Sequence, residues 1–154
     1  MDMPTVTDEH KKLHALAGRW VGEETMSPSP WGPGGAAVGH FEGKVQCDGF
    51  FVTQEYRKDK DGAVNFRGHA LFGYDTERKQ YAYYWVDSMG HVPKEPSWGI
   101  WTDNVLQFGA EGPQGMGRYT YTFEGDDGLR FDLESSSDGG ATWQNLMTGS
   151  YRRA

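Results

Sequence analysis

Three carboxylates and one histidine fall on predicted strands where their side chains could do acid–base chemistry. We expect Glu24, Glu55 and Asp87 to point into the molecule, with His40 on a neighbouring strand. Carboxylates that share an aromatic site cannot all stay ionised, because their like charges repel one another. One of them could therefore shuttle a proton, or bind a ligand as a neutral acid. The same residues also fit a plainer role, in which they meet Arg, Lys or ordered water.

An enzyme built on these groups needs a base and a hydrogen-bonding partner for it. The candidate catalytic residues are Glu24 or Glu55 as the base, with His40 or Tyr83 as the partner. Isomerisation, cyclisation and hydrolysis are the reaction types that such a pair supports. The spacing does not choose between catalysis and binding, so the sequence leaves open whether the protein is an enzyme.

Other kinds of site have little support in the sequence. A serine nucleophile elbow (G-x-S-x-G) and a phosphate-binding glycine loop are both absent. His10 and His14 have the i, i+4 spacing of chelating residues, but no third ligand follows them. The single cysteine, Cys47, excludes a disulfide framework and is expected to be a small buried apolar residue. We therefore predict no metal site and no cofactor.

The composition indicates many short strands joined by tight turns. The 154 residues include 6 Trp, 8 Tyr, 8 Phe, 22 Gly and 7 Pro, a mix that argues against a helical bundle and against disorder. The net charge of −7 opposes binding to a nucleic-acid backbone. No apolar run approaches the length of a transmembrane helix, and the charged N-terminus lacks the apolar core of a signal peptide. We expect a cytoplasmic protein without a nucleic-acid or membrane partner.

A short helix followed by about ten strands accounts for the chain, as one domain over residues 1–154. An apolar stripe of Leu13, Leu16 and Ala17 predicts the helix over residues 8–17. Asp8 could cap its start, and Gly18 ends it. Ten strands on short connections predict an all-β fold, an antiparallel up-and-down barrel over residues 18–153. The candidate strands are residues 19–26, 36–47, 50–58, 64–74, 79–88, 97–102, 105–109, 118–125, 129–135 and 142–152.

The start of the first strand, Gly18-Arg19-Trp20, resembles the G-x-W motif of lipocalins and other calycins. The resemblance implies that the Trp closes the barrel floor and that an Arg from the last strand packs across it. Ten up-and-down strands bring the last strand back to the floor, where the segment Tyr151-Arg152-Arg153 supplies such an Arg. We expect Arg152 to stack on Trp20.

Further motifs resemble a bacterial lipocalin-like family of unknown function. They are Leu16-Ala17-Gly18-x-Trp20-x-Gly22-Glu23, Gly73-Tyr74-Asp75 and Trp85-Val86-Asp87-Ser88-Met89-Gly90. The resemblance implies the calycin barrel and no particular activity. The distantly related nitrobindins bind haem through a His late in the barrel, whereas no His follows His91 here, so haem binding is not carried over.

Tight turns fix the register of neighbouring strands and so predict which side chains share a face. Pairing across Asp48-Gly49 puts Glu42 opposite Glu55. Pairing across the turn from Asp75 to Arg78 puts Gly68 opposite Trp85, within one or two residues. Gly68 makes room for a converging ring, so we take its face as the interior.

Aromatic walls carrying a few polar groups typically line a small-molecule pocket, and the predicted interior has this character. Trp31, in the Pro- and Gly-rich loop of residues 27–35, would partly cover its mouth. The predicted ligand-binding residues are Trp20, Glu24, Met26, Trp31, His40, Glu55, Phe66, Tyr83, Trp85, Asp87 and Trp98.

Three functions follow from this interior. The leading hypothesis is the binding of a small apolar or aromatic molecule inside the barrel. The second is an enzyme that uses the same pocket. The third is a filled barrel that serves as an interaction module, with Trp101 and other surface rings at an interface, a homodimer among them; an internal cavity below about 100 Å³ would favour it.

Overall fold

Ten antiparallel strands close into a barrel in the computed structural model, which describes residues 1–30, 32–112 and 115–154. Each strand pairs with the next along the chain, and β1 pairs with β10, so the sheet closes on itself as predicted. The strands are β1 (Gly18–Met26), β2 (Gly35–Gln46), β3 (Phe51–Lys60), β4 (Ala63–Asp75), β5 (Gln80–Asp87), β6 (Ser97–Thr102), β7 (Val105–Gly112), β8 (Gly115–Glu124), β9 (Gly128–Ser136) and β10 (Gln144–Arg153).

A short helical segment lies at the floor of the barrel. The predicted helix is present as α1 (Asp8–Lys12), which continues as a 3₁₀ turn over Leu13–Leu16. Its N-cap is Thr7 rather than Asp8. The Thr7 hydroxyl accepts the backbone N–H of His10, and the Thr7 backbone N–H donates to His10 Nδ1. Leu13 and Leu16 are fully buried, so this segment closes the floor with apolar side chains.

The floor also holds the contact that joins the first and last strands. Trp20 is 2% exposed and lies opposite Arg153 in the register of β1 with β10. The Arg153 guanidinium stacks over the Trp20 ring, 4.3 Å from its centroid, and its Nη2 donates to the carbonyl of Ala15 at 3.1 Å. The expectation that Arg152 makes this contact is wrong. Arg152 lies opposite Val21, and it points outward because successive side chains of a strand alternate between its two faces.

Rings from β4, β5, β7 and β8 meet inside the barrel. Phe72 is fully buried and lies within 6.0 Å of the ring centroids of Tyr83, Phe108 and Tyr121. Higher up, a Cβ on Gly68 would come within 2.2 Å of the Trp85 ring, so this ring needs a glycine beneath it. In the register of β4 with β5, Trp85 lies opposite Ala70 and Gly68 lies opposite Asp87, two residues from the predicted pairing. The Trp85 ring nevertheless covers Gly68, so the predicted inner face of these two strands is right.

One extra residue in β4 changes which side chains face the interior. The hairpin between β3 and β4 begins with Lys60 opposite Ala63, but further along Lys58 lies opposite Phe66, which leaves Asn65 as a β-bulge. Because side chains alternate between the faces of a strand, one extra residue exchanges the faces of everything beyond it.

The bulge explains why the predicted interior is right on β4 and β5 but wrong on β2 and β3. Counting from the turn without the bulge puts Glu55 opposite Gly68, on the inner face. The bulge instead puts Glu55 opposite His69 and Tyr56 opposite Gly68. The predicted pairing of Glu42 with Glu55 is confirmed, but both side chains point outward.

Two further side chains differ from expectation. Cys47 is exposed rather than buried, and it lies in a turn with a φ of 52°. Trp101 stacks on Phe123 at 5.1 Å and packs against the core, so its ring is partly buried rather than fully on the surface, as the interaction-module hypothesis assumed.

The floor contact gives a direct test of stability. We expect Arg153→Lys to lower the free energy of unfolding by about 1–2 kcal/mol, because an ammonium keeps the charge but cannot stack on Trp20 and also reach the carbonyls of Ala15, Ala17 and Asp126. Urea denaturation followed by Trp fluorescence measures the change. Arg152→Lys, the matched control, should shift stability by less than about 0.5 kcal/mol. Equal effects of the two changes would contradict this account of the floor.

Candidate functional site

A cavity of about 190 Å³ lies inside the half of the barrel away from α1. Rings and aliphatic side chains form most of its wall, and a few polar groups interrupt them. Its lining residues are Phe41, Gln54, Tyr56, Lys58, Phe66, Tyr83, Trp85, Asp87, Tyr119, Tyr121, Leu129, Phe131, Leu133, Met147 and Tyr151.

A fully buried carboxylate, that of Glu24, sits directly behind the cavity wall. The Tyr56 hydroxyl donates to it at 2.7 Å, and the Tyr151 hydroxyl donates to its Oε2. A Cβ on Gly39 would overlap this carboxylate at 2.1 Å, so β2 needs a glycine where it passes the group. Two hydroxyl donors and the tight backbone fix the carboxylate in one position.

The cation nearest to Glu24 is Lys58, which itself lines the cavity. Its Nζ lies 3.9 Å from Glu24 Oε1 and 3.7 Å from the Met147 sulfur, with 15% of the side chain exposed. The ammonium also lies 5.6 Å from the centroid of the Phe66 ring. Burial lowers the pKa of Lys58; the nearby Glu24 charge opposes this shift, and Lys60 adds to it.

Two more polar side chains, Asp87 and Gln54, face the cavity, and they differ in their hydrogen bonding. The Asp87 carboxylate is occupied, since it accepts Trp85 Nε1 at 2.7 Å and the backbone N–H of Met89 at 2.9 Å. Gln54 is only 4% exposed, and within the described residues no hydrogen bond reaches its carboxamide. A buried amide without a protein partner is uncommon and suits a site that receives a water or a ligand.

Burial raises the pKa of the tyrosines around the cavity. For Tyr56 and Tyr151 the main cause is desolvation, and the adjacent Glu24 charge adds to it. Tyr83 and Tyr121 are raised mainly by desolvation, and so is Tyr119, where Asp87 contributes. These hydroxyls therefore stay neutral. Those of Tyr56 and Tyr151 donate to Glu24, so they offer the cavity only an acceptor oxygen.

The structure brings five of the predicted site residues together at this cavity. Phe66, Tyr83, Trp85 and Asp87 line it, and Glu24 lies just behind its wall. Of the three predicted inward carboxylates, Glu24 and Asp87 are on the inner side and Glu55 is not, so the predicted group of three is not formed.

The predicted inward position of Glu55 and His40 is wrong. Glu55 is 70% exposed and forms an ion pair with His69 on the outer face, as the bulge in β4 requires. His40 pairs with Asp59 on the same face, with Nε2 3.0 Å from Oδ2. The proposed acid–base pairs that include Glu55 or His40 therefore have no common cavity.

The remaining predicted residues lie elsewhere. Trp20 is part of the floor, and Met26 pairs with Met147 at the upper end of β1 without lining the cavity. Trp98 lies on the outer face, where the Arg78 guanidinium stacks 3.7 Å from its ring centroid. The predicted cover, Trp31, lies outside the described residues.

Four residues that sequence reasoning did not place at the site carry its polar chemistry. Three of them, Gln54, Tyr56 and Lys58, alternate along β3 and share the inner face. The fourth is Tyr151, two residues before the Arg153 that reaches Trp20, and therefore on the same face of β10. The signal was the run Val52-x-Gln54-x-Tyr56-x-Lys58, once the buried Val52 fixes which face is inside.

A larger groove lies on the outer face of β1 to β4, but its character is different. It measures about 510 Å³, and charged side chains line much of it, including Arg19, Glu42, Arg57 and Arg67. Several of these already form ion pairs, such as Arg57 with Asp59 at 3.6 Å. An open surface of solvated ion pairs offers a small apolar molecule little burial, so the inner cavity is the better candidate site.

No three His, Cys, Asp or Glu side chains in residues 1–30, 32–112 and 115–154 lie close enough together to hold a metal ion. No helical segment in those ranges has the length and apolar character needed to span a membrane.

A closed barrel of ten antiparallel strands, with a floor helix and an aromatic cavity, is the architecture of a calycin-like barrel protein. Residues 5–153 match the family described as "Protein of unknown function (DUF1579)", and the chain belongs to this family. The resemblance to a lipocalin-like family of unknown function is thus confirmed. No curated protein matches the chain.

Two solved structures share the fold. The crystal structure of Rv2717c from M. tuberculosis has a TM-score of 0.68 at 16% identity and covers 97% of this chain and 99% of its own. The S-type phycobiliprotein lyase CPES from Guillardia theta has a TM-score of 0.69 at 8% identity and covers 96% of this chain and 93% of its own. At these identities the likeness concerns the fold alone.

The buried carboxylate should be important for stability. We expect Glu24→Gln to lower the free energy of unfolding by about 2–4 kcal/mol, because an amide cannot accept from Tyr56 and Tyr151 on both oxygens and leaves Lys58 without a counter-charge. Thermal and urea denaturation measure this loss. The control, Glu23→Gln, changes the exposed neighbour and should cost less than about 0.5 kcal/mol. A neutral effect of Glu24→Gln would show that the carboxylate network is not structural.

The raised tyrosine pKa values predict loss of stability in alkali. Of the 8 tyrosines, the pKa is raised above the ordinary value of 10.0 in Tyr56, Tyr81, Tyr83, Tyr119, Tyr121 and Tyr151. The unfolded chain ionises first, so this stability is complete below about pH 10 and is lost as the pH rises further.

Tyrosinate absorbance and Trp fluorescence, followed in one alkaline titration, check this prediction. These tyrosines should ionise together with unfolding, and Tyr151→Phe should remove one of them from that step. Ionisation of all tyrosines before any change in fluorescence would contradict it.

Proposed function

We propose that this protein binds a small aromatic or apolar molecule inside its barrel. The observation that carries the proposal is the 190 Å³ cavity, whose wall combines aromatic rings with the unpartnered carboxamide of Gln54 and the ammonium of Lys58. Small-molecule sites typically have this make-up: an apolar wall with a few polar groups that fix the orientation of the ligand.

The cavity volume restricts the size of the ligand. An apolar protein cavity of about 150 Å³ is large enough to hold benzene. A cavity of about 190 Å³ therefore suits a molecule of one or two rings. Burial of about 200–300 Å² of ligand surface contributes about 5–8 kcal/mol. Association costs at least about 4 kcal/mol of this, so we expect dissociation constants of about 1 mM for simple probes.

The same numbers weigh against the interaction-module hypothesis. A filled barrel would have a cavity below about 100 Å³, and the observed volume of about 190 Å³ exceeds this. The acid–base enzyme hypothesis retains only Glu24 and Tyr83 of its four candidate residues. Of these, Glu24 already accepts two hydroxyl donors behind the wall, which supports a structural and orienting role over that of a free base.

Calorimetric titration with indole and with benzyl alcohol tests the proposal. Both probes should bind with one-to-one stoichiometry. Leu133→Trp places a larger side chain in the cavity and should weaken binding at least tenfold, because the ring occupies the volume that the probe needs.

The matched control is Leu71→Trp, which makes the same substitution on the outer face of β4 and should leave the affinity unchanged. Failure of both probes to bind the unaltered protein would refute the proposal. Equal weakening by the two variants would place the probe outside the cavity.

A further inference from the structure

We propose that Lys58 forms a reversible imine with an aromatic aldehyde bound in the cavity. This inference rests on the proposed function and names the ligand class and the reacting atom. Three observations carry it: the position of the amine at the cavity wall, the fixed carboxylate beside it, and the apolar character of its surroundings.

The position of the amine suits attack on a bound carbonyl. Lys58 lines the cavity together with Phe66, its partner across β3 and β4, and with Met147. Its Nζ makes only long contacts, 3.7 Å to a weakly accepting sulfur and 3.9 Å to a carboxylate oxygen. An ammonium has three donors, and such contacts engage them poorly, so the nitrogen is free to approach a ligand.

The surroundings also increase the fraction of the neutral amine, which is the nucleophilic form. Burial lowers the pKa of Lys58 because an apolar environment disfavours the charged ammonium. A desolvated lysine beside apolar groups is the usual setting of Schiff-base chemistry. Lys60, on the same strand, differs in that its Nζ donates to the carbonyl of Gly34 at 2.9 Å.

Glu24 supplies the charge that the product requires. The lone pair of Nζ attacks the aldehyde carbon, and the carbonyl electron pair moves to oxygen, which takes one proton from the nitrogen. The second nitrogen proton leaves with the hydroxyl group. Loss of water then gives the imine, so that aldehyde and amine yield imine and water. A protonated imine nitrogen keeps a positive charge, and the Glu24 carboxylate, held by Tyr56 and Tyr151, lies on the side of that nitrogen.

Reductive trapping tests the inference. The protein is incubated with benzaldehyde and sodium cyanoborohydride at neutral pH, which converts an imine into a stable secondary amine. Peptide mass spectrometry should find the benzyl adduct on Lys58, formed at least tenfold faster than on any other lysine. Lys58→Arg should abolish this fast adduct, and the matched control, Lys60→Arg, should retain it.

Benzyl alcohol separates the two proposals, because it has the same ring but no carbonyl. If benzyl alcohol binds and Lys58 is labelled no faster than the surface lysines, the imine is refuted and the proposed function stands. If neither benzyl alcohol nor indole binds and the fast adduct is also missing, both are refuted. Fast labelling of Lys58 that excess benzyl alcohol suppresses supports the imine within the cavity; fast labelling that it does not suppress refutes the imine at this site.

Discussion

The carboxylate of Glu24 is the group on which the upper half of the barrel depends. It has no exposure to solvent, yet it accepts hydrogen bonds from tyrosines of two other strands, Tyr56 on β3 and Tyr151 on β10. A buried carboxylate without partners would be costly, so these strands must lie where their hydroxyls can reach it. The arrangement ties three strands of the closed sheet to one point and also sets the position of Lys58. The chemistry of the cavity thus follows from the need to satisfy one charge.

The sequence was informative wherever local patterns decide the structure. Turn residues and alternation predicted all ten strands, and the calycin-like floor followed from Trp20. The interior of β2 and β3 could not be predicted in the same way, because Asn65 is an extra residue that no turn signal marks. A single bulge exchanges two faces, and it moved Glu55 outside and brought Tyr56 and Lys58 inside. The prediction of Arg152 instead of Arg153 failed for a related reason. Counting ten strands shows that the last strand ends at the floor, but a register error of one residue exchanges the side chain that faces Trp20.

The relationship between fold and function is loose in this architecture. The chain belongs to a family described only as being of unknown function, and the two similar structures share its barrel at 16% and 8% identity. What distinguishes a barrel of this kind is the set of side chains that enter it, since the closed sheet itself is compatible with many ligands. Here the inward residues of β3, which are Gln54, Tyr56 and Lys58, give the aromatic cavity its polar character.

The pairing of β1 with β10 has a consequence for the order in which the molecule assembles. Glu24 and Tyr151, joined by a hydrogen bond, are 127 positions apart in the chain. During synthesis the hairpins of the middle strands can form early, but β1 keeps one unpaired edge until β10 has emerged. Until then the rings of the cavity face solvent along an open seam, and folding through such distant contacts is slow. Barrel closure is therefore a late event, and a nascent chain of this protein would be most vulnerable to aggregation just before its last strand is complete.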